Sequence, residues 1–143
     1  MEPPGPRVVG PRTRYVAPER FRGAPPSYPA TSIARLLDDR DPGAELYAAL
    51  ISIEREVPLH FHPVLEFQYV LIGSGVALDA DGQETPIGPG GAVLSPAGPA
   101  GAHGFKNTGS LPLTMLCVFP APGGVPPSRT AFVPDGGPLI GPR

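Results

Sequence analysis

The stretch LHFHPVLEFQYVLIG, residues 59–73, holds two of the three histidines of the chain and a glutamate four residues after the second histidine. Alternate side chains of an extended strand share one face, so His60 and His62 point the same way. Glu66 keeps this parity if the residues between only bend the chain. The shared face continues as Gln68, Val70 and Ile72, and the opposite face is Phe67, Tyr69 and Leu71. Because both faces are largely apolar, we predict a strand covered on both sides, with the histidines and Glu66 inside.

Such a buried cluster needs a group of opposite charge or a metal ion. Burying a carboxylate and several imidazoles without such a partner costs several kcal/mol or more. The third histidine, His103, lies in SPAGPAGAHGFKNTG, residues 95–109. Imidazole nitrogens and a carboxylate oxygen suit divalent Fe, Mn, Ni, Zn, Co or Cu. Three histidines and a glutamate can occupy part of an octahedron and leave positions for water, substrate or dioxygen. The sequence therefore predicts one divalent metal ion whose identity stays open.

Short apolar segments separated by turn residues surround this stretch. Asp81-Gly82 is a hairpin turn signal, and Pro58 fits a strand end or an edge strand. We expect one short helix or turn over residues 32–39. Many short strands with glycine and proline between them indicate an all-β sandwich or barrel. The predicted strands occupy residues 45–54, 65–73, 75–81, 91–98, 102–109 and 111–120.

Two motifs resemble those of the cupin family. HFHPVLEFQYVLIG, residues 60–73, fits the pattern HxHxxxExxxxxxG, and GGAVLSPAGPAGAHGFKN, residues 90–107, is similar to GxxxxxPxGxxHxxxN. The second motif contributes Gly90, Pro96, Gly98, His103 and Asn107. The resemblance implies a double-stranded β-helix, or jelly-roll, barrel. It also implies a single metal ion held by His60, His62, Glu66 and His103.

The chain departs from the family pattern at two places. Glu54 stands where a glycine usually precedes the first motif, and four residues rather than two separate Gly98 from His103. Two extra residues preserve strand parity, so His103 is still expected to face inward. The longer loop of small residues is expected at the rim of the cavity.

The composition of the chain indicates its domain organisation and limits its possible partners. We predict a Pro/Arg-rich arm over residues 1–30, a barrel over 31–120 and a Pro/Gly-rich C-terminal arm over 121–143. A net charge of −2 gives no case for nucleic acid or an anionic membrane as partner. The single cysteine, Cys117, leaves no intrachain disulfide, and a cytoplasmic location is expected. By resemblance, we expect a homodimer in which each N-terminal arm crosses the partner's sheet.

Several residues are candidates for a substrate pocket. Gln68 would orient the Glu66 carboxylate or a substrate oxygen, or else it is an amide satisfied within the core. Val70 is expected to line the lumen. In LPLTMLCVFP, residues 111–120, either alternate set faces inward; if it is the odd-numbered set, Met115 lines an apolar pocket. Glu66 is a candidate both for metal ligation and for a catalytic base.

The predicted function is that of a metal-dependent enzyme acting on a small apolar or aromatic molecule. The resemblance suggests dioxygenase-like, polyketide cyclase-like or isomerase-like chemistry. The alternative is a non-catalytic, metal-dependent module that binds or senses a small molecule. A metal-free barrel used for interaction would leave the buried histidines and glutamate unexplained.

Overall fold

The computed structural model describes residues 13, 15–17, 19–20, 31–37, 42–121, 131–132 and 138–140. Most of both predicted arms lies outside these residues. Within them, no helix is long and apolar enough to cross a membrane, and the cytoplasmic location stays a prediction. The strands are β1 (Glu19–Arg20), β2 (Thr31–Leu37), β3 (Leu46–Ile53), β4 (Glu56–His60), β5 (Glu66–Ile72), β6 (Gly75–Leu78), β7 (Glu84–Ile87), β8 (Ala92–Ser95), β9 (His103–Asn107), β10 (Leu113–Pro120), β11 (Ala131–Phe132) and β12 (Pro138–Ile140).

Two antiparallel sheets form a jelly-roll barrel, as the sequence predicts. The larger sheet has the order β1-β2-β3-β10-β5-β8 and the smaller sheet β4-β9-β6-β7, while β11 and β12 pair with each other. Between the two sheets lies an apolar cluster to which both contribute. Its buried members are Ile53, Val57, Val70, Ala77, Phe105, Leu113, Met115 and Cys117.

The expected helix or turn over residues 32–39 was wrong, because Thr31–Leu37 form strand β2. This strand pairs antiparallel with β3, from Thr31 opposite Ile53 to Leu37 opposite Ala48. Ile33 packs against the second apolar cluster, which contains Tyr47 and Phe119. The hydrogen-bonding edge of β3 and this packing site favour an extended conformation over the local sequence preference.

The two faces of β5 differ more than the sequence indicates. Glu66, Gln68 and Val70 are buried as expected. The opposite face was predicted to be covered, but within the described single chain its side chains are 37–41% exposed, namely Phe67, Tyr69 and Leu71. These side chains lie on the outer surface of the larger sheet, because the barrel core occupies only the inner surface.

Ile72 was expected on the inner face and is 50% exposed. Thr114 of β10 pairs with Ile72, whereas the next residue, Met115, pairs with Val70. Leu71 therefore has no partner on β10, and this extra residue forms a bulge that reverses the parity of the strand. The bulge turns Ile72 away from the core.

The odd-numbered side chains of β10 face the interior. The sequence alone did not decide between the odd-numbered and the even-numbered set. Leu113, Met115, Cys117 and Phe119 are buried, whereas Leu111, before the strand, is exposed.

Candidate metal centre

Four predicted ligands converge inside the barrel. His60 ends β4, His62 lies in the segment between β4 and β5, Glu66 begins β5 and His103 begins β9. One potential ligand atom from each of these residues lies within 4.8 Å of those from the other three, and all four residues are buried. The structure thus brings together the four residues predicted as metal ligands, from three strands and the segment between β4 and β5.

A bulge in β4 aims His60 at this cluster. Val57 pairs with Phe105 and His60 pairs with His103, so three steps along β4 match two along β9. Pro58 has no N–H with which to continue the ladder, and Gly104 leaves the space that the bulge fills: a Cβ there would lie 2.9 Å from the carbonyl oxygen of Val57. Val57 and His60 can therefore both face the interior although they lie three residues apart.

Backbone carbonyls orient two of the imidazole rings. The Nδ1 atom of His60 lies 2.7 Å from the carbonyl oxygen of Pro58, and the Nδ1 atom of His103 lies 3.0 Å from that of Gly101. A carbonyl oxygen can only accept, so each Nδ1 carries the proton and donates it. Both Nε2 atoms then keep the lone pair that a metal ion requires.

The Glu66 carboxylate lies close to two histidine nitrogens but forms no well-aligned hydrogen bond with them. Its Oε1 atom lies 2.8 Å from Nε2 of His103 and 3.6 Å from Nε2 of His62. Nevertheless, neither this Oε1 atom nor His103 Nε2 has an aligned hydrogen bond in the described part of the protein. Buried polar atoms are nearly always paired, so two such atoms directed at a common point fit a shared cation.

Burial and neighbouring charges set the protonation of the site. Burial, and then the neighbouring His103 and His62, hold the pKa of His60 well below its usual value, so this imidazole is neutral at physiological pH. Burial alone would lower the pKa of His103, but contact with Glu66 raises it overall. Burial, reinforced by Glu66, raises the pKa of Cys117 well above its usual value. Cys117 is therefore a protonated thiol and a poor nucleophile.

The longer loop before His103 forms part of the site. Residues Pro99–Gly101 make a single 3-10 turn, and the N–H of Gly98 donates to the carbonyl oxygen of His62 at 2.9 Å. Gly101 packs directly on the backbone of Pro96, where an added Cβ would overlap the Pro96 carbonyl oxygen. The extra residues are thus folded into a compact turn whose last carbonyl orients His103.

A cavity of about 460 Å³ reaches His103 from the surface between the free edges of β7 and β8. Its lining is mainly small or apolar and includes the loop residues Ala100, Gly101 and Ala102, as expected for a loop at the rim. Ser95 also lines this cavity, and sequence analysis missed it. The available signal was its alternation with Val93 along β8, which lies beside the strand that carries Glu66.

The three residues predicted for a substrate pocket are all buried but do not line this cavity. Val70 and Met115 belong to the packed apolar cluster, with no exposed surface. Gln68 lies between them and Glu66, with its amide oxygen 3.4 Å from the Ser95 hydroxyl. Their contact with a substrate stays a prediction.

Comparison with known proteins supports the same reading of the barrel. The family model described as "Cupin domain" matches residues 50–119, which include all four clustered residues. A search of curated proteins gives no significant match.

Three solved structures illustrate the range of related proteins. The polyketide cyclase RemF from Streptomyces resistomycificus is 26% identical, with a TM-score of 0.62 over 79% of this chain and 80% of its own. A predicted oxalate decarboxylase from Thermotoga maritima is 26% identical, with a TM-score of 0.58 over 74% and 93%. A sugar phosphate isomerase from a cupin superfamily of Silicibacter pomeroyi is 25% identical, with a TM-score of 0.60 over 82% and 76%.

Proposed function

This chain belongs to the cupin family, and we propose that it is a metal-dependent enzyme acting on a small apolar or aromatic organic molecule. The observation that carries the proposal is the convergence of His60, His62, Glu66 and His103 within 4.8 Å inside a closed core. These residues would hold one divalent ion, and Glu66 Oε1 and His103 Nε2, which lie 2.8 Å apart without an aligned hydrogen bond, fit that role. When bound, such an ion supplies Lewis-acid chemistry toward a substrate oxygen, or redox chemistry if it is iron.

The protein's own residues define the rest of the chemistry. Glu66 is the one carboxylate in the cluster, and its position beside His62 and His103 allows it to accept a proton from a substrate C–H or O–H group. The apolar side chains next to the cluster exclude water, which strengthens electrostatic interactions at the site. The carbonyls of Pro58 and Gly101 keep two imidazoles in one orientation throughout.

The apolar surroundings support the substrate class. Phe119 packs edge-on against His62 with ring centroids 4.9 Å apart, and Phe105 lies 6.1 Å from His103. Charged groups are scarce along the described cavity lining, which favours an aromatic or polyketide-like substrate over a sugar phosphate. The likeness to a polyketide cyclase is compatible with this choice.

Metal analysis of protein purified without a histidine tag tests the proposal. We expect about one equivalent of a divalent metal, followed by metal-dependent depletion of an apolar enol, phenol or carboxylate in a substrate screen. Protein that holds no metal after anaerobic preparation and reconstitution with each candidate ion would refute the proposal.

A non-catalytic, metal-dependent binding or sensor module is the second candidate. It is favoured by the scarcity of acidic groups in the described cavity lining. The carboxylate there is Asp79, and its Oδ1 already accepts from the backbone N–H groups of Asp81 and Gln83 at 2.9 Å. A compound that binds the metal-loaded protein tightly and is recovered unchanged, both with and without air, would favour this candidate over the enzyme.

We also propose a homodimer formed through the outer face of the larger sheet. Phe67 and Leu94 are directly paired there, and Leu94 is 66% exposed, with Tyr69 beside them. Exposed apolar patches of this kind on a sheet mark interaction surfaces. Light scattering at micromolar concentration should give twice the chain mass, and Leu94→Glu should give a monomer.

A further inference from the structure

The amide of Gln68 is an unusual group to find in this core. The residue is 1% exposed, and its Oε1 accepts a long hydrogen bond of 3.4 Å from the Ser95 hydroxyl. Its Nε2 has no hydrogen-bond partner in the described part of the chain. An amide nitrogen can donate twice, and leaving it unpaired in a protein interior is destabilising. The buried Gln68 amide therefore does not stabilise the fold, and a role in ligand binding would account for its presence.

Gln68 lies where the polar cluster meets the apolar core. It follows Glu66 by two residues on the inner face of β5, which places the two Cα atoms about 6.6 Å apart. Its partner on β10 is Cys117, whose thiol contacts the Glu66 carboxylate, and its partner on β8 is Val93. Ser95, which holds the amide oxygen, also lines the cavity that reaches His103.

We propose that Nε2 of Gln68 donates a hydrogen bond to an oxygen atom of the bound substrate. This inference rests on the proposed function and narrows its substrate class to apolar molecules with two nearby oxygens, such as aromatic carboxylates or enols beside a carbonyl. One oxygen is directed to the metal site, and the other accepts from Gln68. Because the amide oxygen accepts from Ser95, the nitrogen is the atom of this amide that is left to donate to the ligand.

Two small aromatic probes of the metal-loaded protein test this assignment. Benzoate can bind a metal through one carboxylate oxygen and offer the second to Gln68, whereas pyridine binds through nitrogen and has no further acceptor. Both are titrated into cobalt(II)-loaded wild type and Gln68→Met, which keeps the side-chain length, and binding is followed by visible absorbance. We expect Gln68→Met to weaken benzoate binding about tenfold or more and to change pyridine binding less than twofold.

The controls separate this inference from the proposed function. Wild-type protein that fails to bind cobalt(II) would overturn both. Cobalt(II) and pyridine binding as in wild type, together with unchanged benzoate affinity in Gln68→Met, would overturn the role of Gln68 alone. Equal loss of both probes would also overturn it, because a merely structural amide affects the whole site.

Thermal unfolding gives a readout that does not depend on a ligand. The metal-loaded double variant Gln68→Met/Ser95→Ala removes both hydrogen-bonding partners, and we expect its midpoint to equal or exceed that of wild type. A midpoint lower by about 5 °C or more would show that the amide serves the fold, and the inference would fail.

Discussion

The interior of the barrel has two regions built from the same strands and equally buried. Along β5, Glu66 and Gln68 are followed by Val70, and along β9, His103 is followed by Phe105. The first region is a group of nitrogen and oxygen atoms, some without partners, and the second is a packed apolar cluster. Burial alone therefore does not distinguish a functional region from a structural one. The distinguishing feature is the presence of buried polar atoms that lack hydrogen-bond partners.

This contrast assigns a different consequence to mutation in each region. Changes in the apolar region should lower the free energy of unfolding and leave the metal stoichiometry of the folded protein intact. Loss of any one of His60, His62, Glu66 and His103 should remove the metal and leave the metal-free fold largely in place. The following variants test that separation.

The largest effect is expected from His62→Ala. Removing one of the four clustered side chains proposed to hold the metal should reduce bound metal from about one equivalent to nearly none. Elemental analysis after gel filtration measures this. A folded His62→Ala protein with full metal content would show that the cluster is not the metal site.

Leu113→Ala is the counterpart in the apolar region. Leu113 is fully buried, so its truncation should cost about 2–5 kcal/mol in the free energy of unfolding. Denaturant unfolding measures the loss, and metal analysis of the folded fraction should still give about one equivalent. If this variant stayed folded yet lost its metal, the two regions would not be separable.

Gly101→Ala tests whether the loop before His103 contributes to metal binding. The added methyl would overlap the Pro96 carbonyl oxygen, and the resulting shift would move the Gly101 carbonyl that orients His103. We expect metal affinity to fall about 10–100-fold, as for other losses of a group that orients a ligand. Gly88→Ala, whose Cβ would meet nothing within 4 Å, is the matched control. Equal affinities in both variants would argue against the orienting role.

The smallest predicted effect is a pH dependence of the metal-free protein. The pKa of His60 is lowered in the folded state, so this residue binds more protons in the unfolded chain below pH 6.5. The contribution of His60 is therefore full above pH 6.5 and is lost as the pH falls below it, at up to about 1.4 kcal/mol per pH unit. Urea unfolding of wild type and His60→Asn at pH 5–7 isolates this slope, which should be shallower in the variant.

Much of the fold and of the metal cluster could be predicted from local spacing. The common direction of His60 and His62 and the parity of His103 can be predicted from alternation along strands, whereas the set of four ligands comes from the resemblance to the cupin motifs. The same rule failed at Ile72, because one unpaired residue, Leu71, reverses the parity. It also could not reveal β2, whose extended conformation depends on the free edge of β3.

Other features depend on pairs of residues that the sequence does not link. The contact between Ser95 and Gln68 joins β8 to β5, and the orientation of His60 depends on a bulge against Gly104. Nothing in the spacing of Phe67, Tyr69 and Leu71 distinguishes a covered face from an exposed one. Such features arise from tertiary packing, and only the assembled sheets determine them.

The pairing of His60 directly across from His103 has a consequence for how the chain assembles. A slip of one residue between β4 and β9 would send one imidazole outward, and the ligand set would be incomplete. A cation that binds only the native alignment stabilises that alignment by mass action. An ion bound there would therefore shift the balance further toward the native register, and refolding with the ion should give a larger correctly paired fraction than refolding without it.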